Sequence, residues 1–202
     1  MLLYGASGHA KVICSCLESQ NIYISAIFDD DVSIKSLNNY KVIGKYNPHY
    51  LVTEPIIISI GNNSTRKNIS EILIHNFGIA IHASVYVDEF SIIGEGTVIF
   101  HNAIIQRDVL IGKHVIVNTA ANIDHDCIIN DFVHISPNVA LSGNVKVGEG
   151  THIGTGASII QGVTIGKWAT VGAGSVVIRD VPDFAVCVGN PSKIIKYNNT
   201  NE

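Results

Sequence analysis

A histidine with a carboxylate on each side, in the run Asp124-His125-Asp126, has the residue types that general-base catalysis requires. A neighbouring carboxylate can fix the tautomer of an imidazole and raise its basicity. We therefore predict that His125 accepts a proton from an attacking nucleophile. The sequence leaves open whether Asp124 or Asp126 orients the ring.

Two further histidines, His134 and His152, are eighteen residues apart and could contact a ligand together. We expect His101 and His114 to be ordinary solvated surface residues. No two histidines between residues 101 and 152 are five or fewer positions apart, so the spacing does not favour a zinc site. Ligands shared between neighbouring chains stay an alternative, and we expect no bound metal.

The first eighty residues carry a second group of candidate residues. An apolar strand at 2–4 runs into the turn Gly5-Ala6-Ser7-Gly8-His9, and a helix is predicted over 10–19. A strand over 22–28 ends in Asp29, Asp30 and Asp31. Ser7, Gly8 and the helix amino terminus would bind a phosphate, and Asp29 lies where such folds place an acid on a ribose or base.

The same segment continues with a strand over 55–60, the turn Gly61-Asn62-Asn63 and a helix over 65–76. The order of strand, turn and helix predicts a small Rossmann-like unit. Three strands and a Gly-x-x-Gly turn favour a mononucleotide or a nucleotide sugar over a dinucleotide. A tight turn without a ligand, beside a solvated acidic loop, is the alternative.

A six-residue repeat must position the histidine pair and His125. Every sixth residue from Val87 to Val177 is aliphatic, and small or β-branched residues recur two positions earlier. The sixteen aliphatic residues are Val87, Ile93, Ile99, Ile105, Ile111, Val117, Ile123, Ile129, Ile135, Leu141, Val147, Ile153, Ile159, Ile165, Val171 and Val177.

This period fits a short strand and a tight turn, and it does not fit a helix of 3.6 residues per turn. Three units close one triangular coil, so residues eighteen apart stack, and His125 lies at a corner of the prism. We predict an α/β plus β architecture. It has a Rossmann-like nucleotide-sugar-binding domain over residues 1–80 and a left-handed parallel β-helix of about five coils, with a carboxyl-terminal tail, over 81–202.

The composition limits the partners of the chain. The 202 residues carry a formal net charge of −4, which gives no attraction to nucleic acid or to an acidic membrane. No apolar run suggests a membrane span or a signal peptide. The four cysteines form neither a zinc motif nor a disulfide framework, and Cys127 occupies an inward position of the repeat. We expect a cytoplasmic protein.

With these residues in view, the chain resembles the hexapeptide-repeat acyltransferases, specifically the bacterial sugar acetyltransferases of the PglD and sialic acid O-acetyltransferase type. The resemblance extends over nearly the whole chain. Its motifs are Tyr4-Gly5-Ala6-Ser7-Gly8-His9, Phe28-Asp29-Asp30, Ile60-Gly61-Asn62-Asn63 with Arg66, the segment from Asn118 to Cys127, His134, Ser142-Gly143-Asn144-Val145 and Val188-Gly189-Asn190-Pro191-Ser192-Lys193.

The resemblance implies a homotrimer whose active sites lie between subunits, with acetyl-CoA in the groove between adjacent β-helices. His125 would be the general base and Asp126 would tune it, although the related protein carries Glu at that position. The Gly143 N–H would stabilise the oxyanion. The residues implied to bind the nucleotide sugar are Ser7, Gly8, His9, Asp29, Asp30, Gly61 and Asn118. Those implied to line the acetyl-CoA groove are His134, Gly143, Thr155, Ala173 and Lys193.

The implied activity is acetyl-CoA-dependent N-acetylation of a UDP-linked 4-amino-4,6-dideoxy sugar, for glycan or surface polysaccharide synthesis. A thioester is already activated, so direct transfer needs only a base, an oxyanion donor and correct positioning. One alternative is O-acetylation of a sialic acid or related sugar. Another, from a different class, is a trimeric scaffold that binds a nucleotide without turnover.

Overall fold

The computed structural model describes residues 1–198, and its amino-terminal part is built on a parallel three-stranded sheet of strand order β2-β1-β5. All three strands are apolar and largely buried, as expected for a parallel sheet with both faces covered. The elements of this part are β1 (Leu2–Tyr4), α1 (Gly8–Ser19), β2 (Ala26–Phe28), β3 (Ser36–Leu37), β4 (Tyr40–Lys41), β5 (Ile56–Ile58) and α2 (Asn63–Ser70).

Helix α2 is shorter than the predicted helix over 65–76. Asn62 caps its amino terminus, since the Asn62 side chain accepts a hydrogen bond from Thr65 N. Beyond Ser70 the chain turns, and both Leu73 and His75 are buried. Ile74 between them is exposed, so burial alternates every two residues, as in an extended segment and not as in a helix.

A β-solenoid follows, and its strands match the six-residue repeat. Strand β6 (Ala80–Ile81) begins the solenoid one repeat earlier than predicted, and each of the next sixteen strands ends on its aliphatic residue. These strands are β7 (Tyr86–Val87), β8 (Ile92–Ile93), β9 (Val98–Ile99), β10 (Ile104–Ile105), β11 (Leu110–Ile111), β12 (Ile116–Val117), β13 (Asn122–Ile123), β14 (Ile128–Ile129), β15 (His134–Ile135), β16 (Ala140–Leu141), β17 (Lys146–Val147), β18 (His152–Ile153), β19 (Ser158–Ile159), β20 (Thr164–Ile165), β21 (Thr170–Val171) and β22 (Val176–Val177).

The solenoid strands form three parallel sheets, which are the sides of a triangular prism. Sheet I contains β6, β9, β12, β15, β18 and β21, sheet II runs from β7 to β22, and sheet III runs from β8 to β20. Strands eighteen residues apart pair directly, as in His134 with His152. A hairpin of β23 (Ala185–Val188) and β24 (Lys193–Tyr197) extends sheet I.

The prism core confirms the inward positions of the repeat. The aliphatic residues from Ile99 onward are buried, and so are the small residues two positions earlier, including Cys127. All four cysteines are free and buried. The α/β plus β-helix architecture is therefore confirmed, and the domain boundary at residue 80 stays a prediction.

The amino-terminal part packs on the outer surface of sheet I. Val98, Phe100 and Ile116 of that sheet share a hydrophobic cluster with Ala10 and Cys16 of α1. The other two sheets do not enter this cluster. Across residues 1–198, no helix combines the length and hydropathy that crossing a lipid bilayer requires.

Candidate active site

His125 lies at the corner between sheets II and III, and its side chain is 59% exposed. Nδ1 lies 2.7 Å from Oδ2 of Asp126 and donates to it, since a carboxylate only accepts, so in the neutral imidazole Nε2 is the unprotonated nitrogen. Asp124 instead accepts a hydrogen bond from the backbone N–H of His125 at 2.8 Å. The structure thus answers the question that the sequence leaves open, because Asp126 orients the ring.

The two carboxylates raise the pKa of His125 above its ordinary value. The hydrogen bond to Asp126 contributes most, and the charge of Asp124 adds to it. Asp126 adopts a left-handed backbone conformation, with φ of 60°, which Asp tolerates better than most residues. The corner backbone therefore directs the Asp126 carboxylate to Nδ1.

Gly143 lies eighteen residues after His125, at the same corner one coil further on. A Cβ atom at Gly143 would be 2.5 Å from Cε1 and 2.6 Å from Nε2 of His125, so the imidazole packs against the bare glycine. The Gly143 carbonyl accepts from Gly162 N, but within residues 1–198 its own N–H has no acceptor. The N–H of the glycine that packs against the imidazole is therefore free to donate to an oxyanion.

A second group of predicted site residues lies on the outer surface of sheet I. The His134 and His152 rings stack there, with centroids 4.8 Å apart, as the spacing predicts. Nδ2 of Asn118 lies 3.2 Å from Nε2 of His134, and Oγ of Ser136 lies 2.8 Å from Nε2 of His152. His134 is half-buried beneath the amino-terminal part, and the His9 ring lies 6.5 Å from it.

Desolvation keeps these imidazoles neutral. It lowers the pKa of His134 to about 3 and that of His9 to about 4, with smaller contributions from nearby positive charge such as Arg66. Nε2 of His9 is buried and has no hydrogen-bond partner among the described residues. A buried acceptor or donor without a partner is costly, so this atom is available to a ligand.

The loops at the carboxyl ends of β1, β2 and β5 meet at this surface. Ser7 and Gly8 are exposed at the start of α1. Asp29 uses both carboxylate oxygens on backbone N–H groups, from Ala6 at 2.7 Å and from Asp31 at 2.8 Å. It therefore holds the Gly-x-x-Gly turn in place.

The exposed Asp30 accepts a hydrogen bond from the Tyr4 hydroxyl at 2.7 Å. Its other carboxylate oxygen has no partner in the part of the chain that the structure describes. Of the two predicted acids, Asp30 is thus the one with an oxygen free for a ligand.

A cleft of about 460 Å³ continues from this surface along sheet I. Gly61 and the start of α2 form one side, and His134, His152 and Trp168 form much of the other. We call His9, Gly61, Asn118, His134 and His152 the sheet I face. All seven predicted nucleotide-sugar residues lie on this face or on the loops that follow β1, β2 and β5 beside it.

The residues predicted to line the acetyl-CoA groove are divided between two edges of the prism. Thr155 and Ala173 are exposed and stack at the corner between sheets I and II, where Gly174 N donates to Thr155 O at 2.8 Å. His134 is next to that corner, and Lys193 is exposed on the hairpin that extends sheet I. Gly143 lies at the other edge with His125.

One prediction about the histidines is wrong. His114 is not a solvated surface residue, since it is 4% exposed and stacks on Phe132 with centroids 5.1 Å apart. It lies at the corner between sheets III and I, which α2 covers, and desolvation lowers its pKa to about 4. His101 is half-exposed and stacks on His82 at 3.7 Å.

Arg66 is a residue whose position in the site the sequence does not reveal. It is 1% exposed and connects α2 with the corner that holds His114. Its sequence cues are its place in the motif with Ile60-Gly61-Asn62-Asn63 and its position three residues after Asn63, in a largely polar helix. Among residues 1–198, no three His, Cys, Asp or Glu side chains are grouped so that they could hold a metal ion.

In one protomer the His125 corner and the sheet I face are on opposite sides of the prism. Sheet I is the side of the triangle opposite the corner between sheets II and III. A base on one side cannot reach a ligand on the other, because the filled core separates them. The two groups of residues meet only if another copy of the chain contributes one of them.

Two protein-family models match separate parts of the chain. Residues 1–73 match the model of the PglD N-terminal domain, and residues 144–179 match the model of the bacterial transferase hexapeptide with six repeats. A search of curated protein sequences gives no match.

Several solved structures are similar over the whole chain. Perosamine N-acetyltransferase from Caulobacter crescentus, solved with CoA and GDP-perosamine, is 34% identical over 96% of each chain, with a TM-score of 0.93. The acetyltransferase domain of PglB from Neisseria gonorrhoeae is 38% identical over 96% of this chain and 98% of its own, with a TM-score of 0.89. It has also been solved with acetyl coenzyme A.

WeeI from Acinetobacter baumannii is 29% identical over 96% of this chain and 98% of its own, with a TM-score of 0.83. The solenoid is accordingly the left-handed β-helix of the hexapeptide-repeat enzymes. Identity above 30% over nearly the full length of both chains exceeds what a shared fold alone requires. The chain belongs to the PglD-type sugar acetyltransferases of the hexapeptide-repeat family.

Proposed function

We propose that the chain transfers the acetyl group of acetyl-CoA to the 4-amino group of a nucleotide-linked 4-amino-4,6-dideoxy sugar. The observation that carries this proposal is the His125–Asp126 pair, an exposed base with raised pKa whose Nε2 lies beside the Gly143 backbone. Among residues 1–198, no serine or cysteine is hydrogen-bonded to either ring nitrogen of His125, so a direct transfer without an acyl-enzyme fits the corner.

The transfer proceeds by attack of the sugar amine on the thioester carbonyl. Nε2 of His125 accepts the proton that the amine loses as the C–N bond forms, and Asp126 stabilises the resulting imidazolium. The Gly143 N–H donates to the carbonyl oxygen as it becomes an oxyanion. Collapse of the tetrahedral intermediate breaks the C–S bond, and the CoA thiolate leaves and takes up a proton.

The nucleotide sugar occupies the sheet I face and the loops beside it. Ser7, Gly8 and the amino terminus of α1 bind its phosphates, and Asp30 binds the ribose or base. His9 Nε2, which lacks a partner, and Asn118 contact the sugar end. The imidazoles of this face are neutral, so they do not repel the acceptor amine even if the amine arrives protonated.

Acetyl-CoA lies between the β-helices of two protomers. His134, Thr155 and Ala173 of one protomer form one wall, Gly143 of the next forms the other, and Lys193 contacts a CoA phosphate. The separation of the His125 corner from the sheet I face within one protomer supports a homotrimer with shared active sites. A threefold ring joins unlike edges of successive copies and closes.

Two nucleotides, UDP and GDP, are candidates for the carrier of the acceptor sugar. The resemblance implies a UDP sugar, and the similar Caulobacter enzyme, solved with GDP-perosamine, makes GDP the second candidate. The test is release of CoA thiol from acetyl-CoA in the presence of a UDP- or GDP-linked 4-amino-4,6-dideoxyhexose. We expect N-acetylated product with at least one of them.

Two results would contradict the proposal. Turnover with hydroxyl acceptors only, such as a sialic acid, would identify an O-acetyltransferase. Nucleotide binding with no turnover on any acceptor would identify a non-catalytic scaffold. The placement in glycan or surface polysaccharide synthesis and in the cytoplasm follows from the proposed acceptor and stays a prediction.

A further inference from the structure

The guanidinium of Arg66 is buried with no carboxylate within ion-pairing distance among the described residues. An unpaired buried charge is costly unless hydrogen bonds compensate it. Here each of its five N–H donors has a neutral acceptor. The five acceptors are His114 O at 2.8 Å, Ile60 O at 3.0 Å, Gly61 O at 3.2 Å, Asn63 Oδ1 at 2.9 Å and Phe132 O at 2.9 Å.

These acceptors belong to two different parts of the molecule. The His114 and Phe132 carbonyls belong to successive coils at one corner of the solenoid. The other three acceptors belong to the segment from Ile60 to Asn63, which joins β5 to α2 and forms one side of the cleft. One planar side chain thus fixes this segment against the solenoid.

A second contact holds the same segment from its other end. Nδ2 of Asn63 donates to the carbonyls of Gly150 at 3.0 Å and Thr151 at 3.3 Å. Both carbonyls belong to the coil that follows the two held by Arg66. The segment is therefore tied to three successive coils, next to the imidazoles of His134 and His152.

We propose that Arg66 is a positioning residue that sets the Ile60–Asn63 segment for binding of the nucleotide sugar. The inference rests on the proposed function, which places the nucleotide sugar beside Gly61. Arg66 itself does not touch the ligand. It holds the Gly61 backbone at a fixed distance from the imidazoles of His134 and His152. The loop is therefore already ordered when the ligand binds, and no conformational entropy is lost in ordering it.

The geometry distinguishes this role from a simple charge effect. A lysine keeps the positive charge but presents one ammonium group with three donors, which cannot span five acceptors on two sides. A role in charge alone predicts that Arg66→Lys behaves like the wild type. A positioning role predicts that it does not.

The experiment compares Arg66→Lys with Asn63→Ala, which leaves the Arg66 bonds to the solenoid in place. Lys113→Met is the matched control, since Lys113 is exposed, precedes His114 and pairs only with Glu95. Affinity for UDP and GDP is measured by calorimetry, and amide exchange of residues 60–64 is measured without ligand. The value of kcat is measured at a saturating UDP- or GDP-linked 4-amino-4,6-dideoxyhexose.

We expect Arg66→Lys to weaken binding of the preferred nucleotide about 10- to 100-fold and to speed exchange in residues 60–64. Because the bonds of Arg66 go to the Ile60–Asn63 segment and the solenoid and not to His125 or Gly143, kcat at saturating substrate should change by less than about 3-fold. Asn63→Ala should show the same pattern to a smaller extent, and Lys113→Met should match the wild type.

Unchanged affinity and exchange in folded Arg66→Lys and Asn63→Ala chains would overturn the proposal. So would a loss of kcat with nucleotide affinity intact. A wild-type chain that binds neither nucleotide would refute the proposed function instead. In that case the exchange of residues 60–64 would still decide whether Arg66 orders the segment.

Discussion

The His125 corner and the sheet I face use the same side chain in opposite electrostatic states. His125 is exposed between two carboxylates, which raise its pKa, whereas His134 is half-buried near Arg66 and a second histidine, and its pKa falls to about 3. In the proposed mechanism, the imidazole that takes up a proton is the basic one, and the imidazole that contacts the ligand is the neutral one. Environment, rather than residue type, assigns the two roles.

The largest expected effect is that of removing the base. We expect His125→Ala to lower kcat about 10²- to 10⁴-fold with the assembly intact, because a general base contributes about that factor. His49→Ala is the control, since His49 is exposed on the amino-terminal part. A folded His125→Ala chain with wild-type kcat would remove the corner from the mechanism.

A smaller change at the same corner moves the base without deleting it. Gly143→Ala places a methyl group where the His125 ring lies, and the backbone there does not require glycine, since its φ is not positive. We expect kcat to fall about 10- to 100-fold through displacement of the imidazole. Gln161→Ala, one coil further at the same corner position, should have no effect. Equal rates for both variants would show that the His125–Gly143 contact has no role.

Replacing the Asp126 carboxylate by an amide lowers the basicity of His125 without removing the imidazole. The base form of His125 is lost as pH falls through its raised pKa, so the acid limb of kcat/KM lies above that of an ordinary histidine. Asp126→Asn should move this limb to lower pH and reduce the high-pH rate by roughly 10-fold, because a weaker base remains. Asp124→Asn should cause a smaller shift in the same direction. A larger shift for Asp124→Asn would reverse the assignment of the orienting acid.

The sequence predicts the solenoid well because each inward residue follows a local six-residue period. Strands β7 to β22 end on the predicted residues, and Cys127 is in the core. Sequence reasoning is weaker in the amino-terminal part. There α2 ends at Ser70, and tertiary packing beyond it buries Leu73 and His75 while Ile74 stays exposed.

Sequence reasoning is limited in the same way at the candidate site. The spacing predicts the stacked pair of His134 and His152, but not that the amino-terminal part covers their sheet. For the same reason His114 is buried, against expectation, and Arg66 has five partners that no local pattern reveals. Contacts between distant segments depend on which face of the prism is covered. No local sequence pattern shows which face of the prism is covered.

We expect each active site to combine the sheet I face of one protomer with the His125 corner of the next. The most direct test co-expresses two inactive chains, His125→Ala and the double variant His9→Ala, Asn118→Ala, and assays the mixed assemblies. In a random 1:1 mixture, about a quarter of the interfaces pair an intact face with an intact corner. We expect the mixed assemblies to recover about that fraction of wild-type kcat, whereas activity no higher than that of either variant alone would exclude a site shared between protomers.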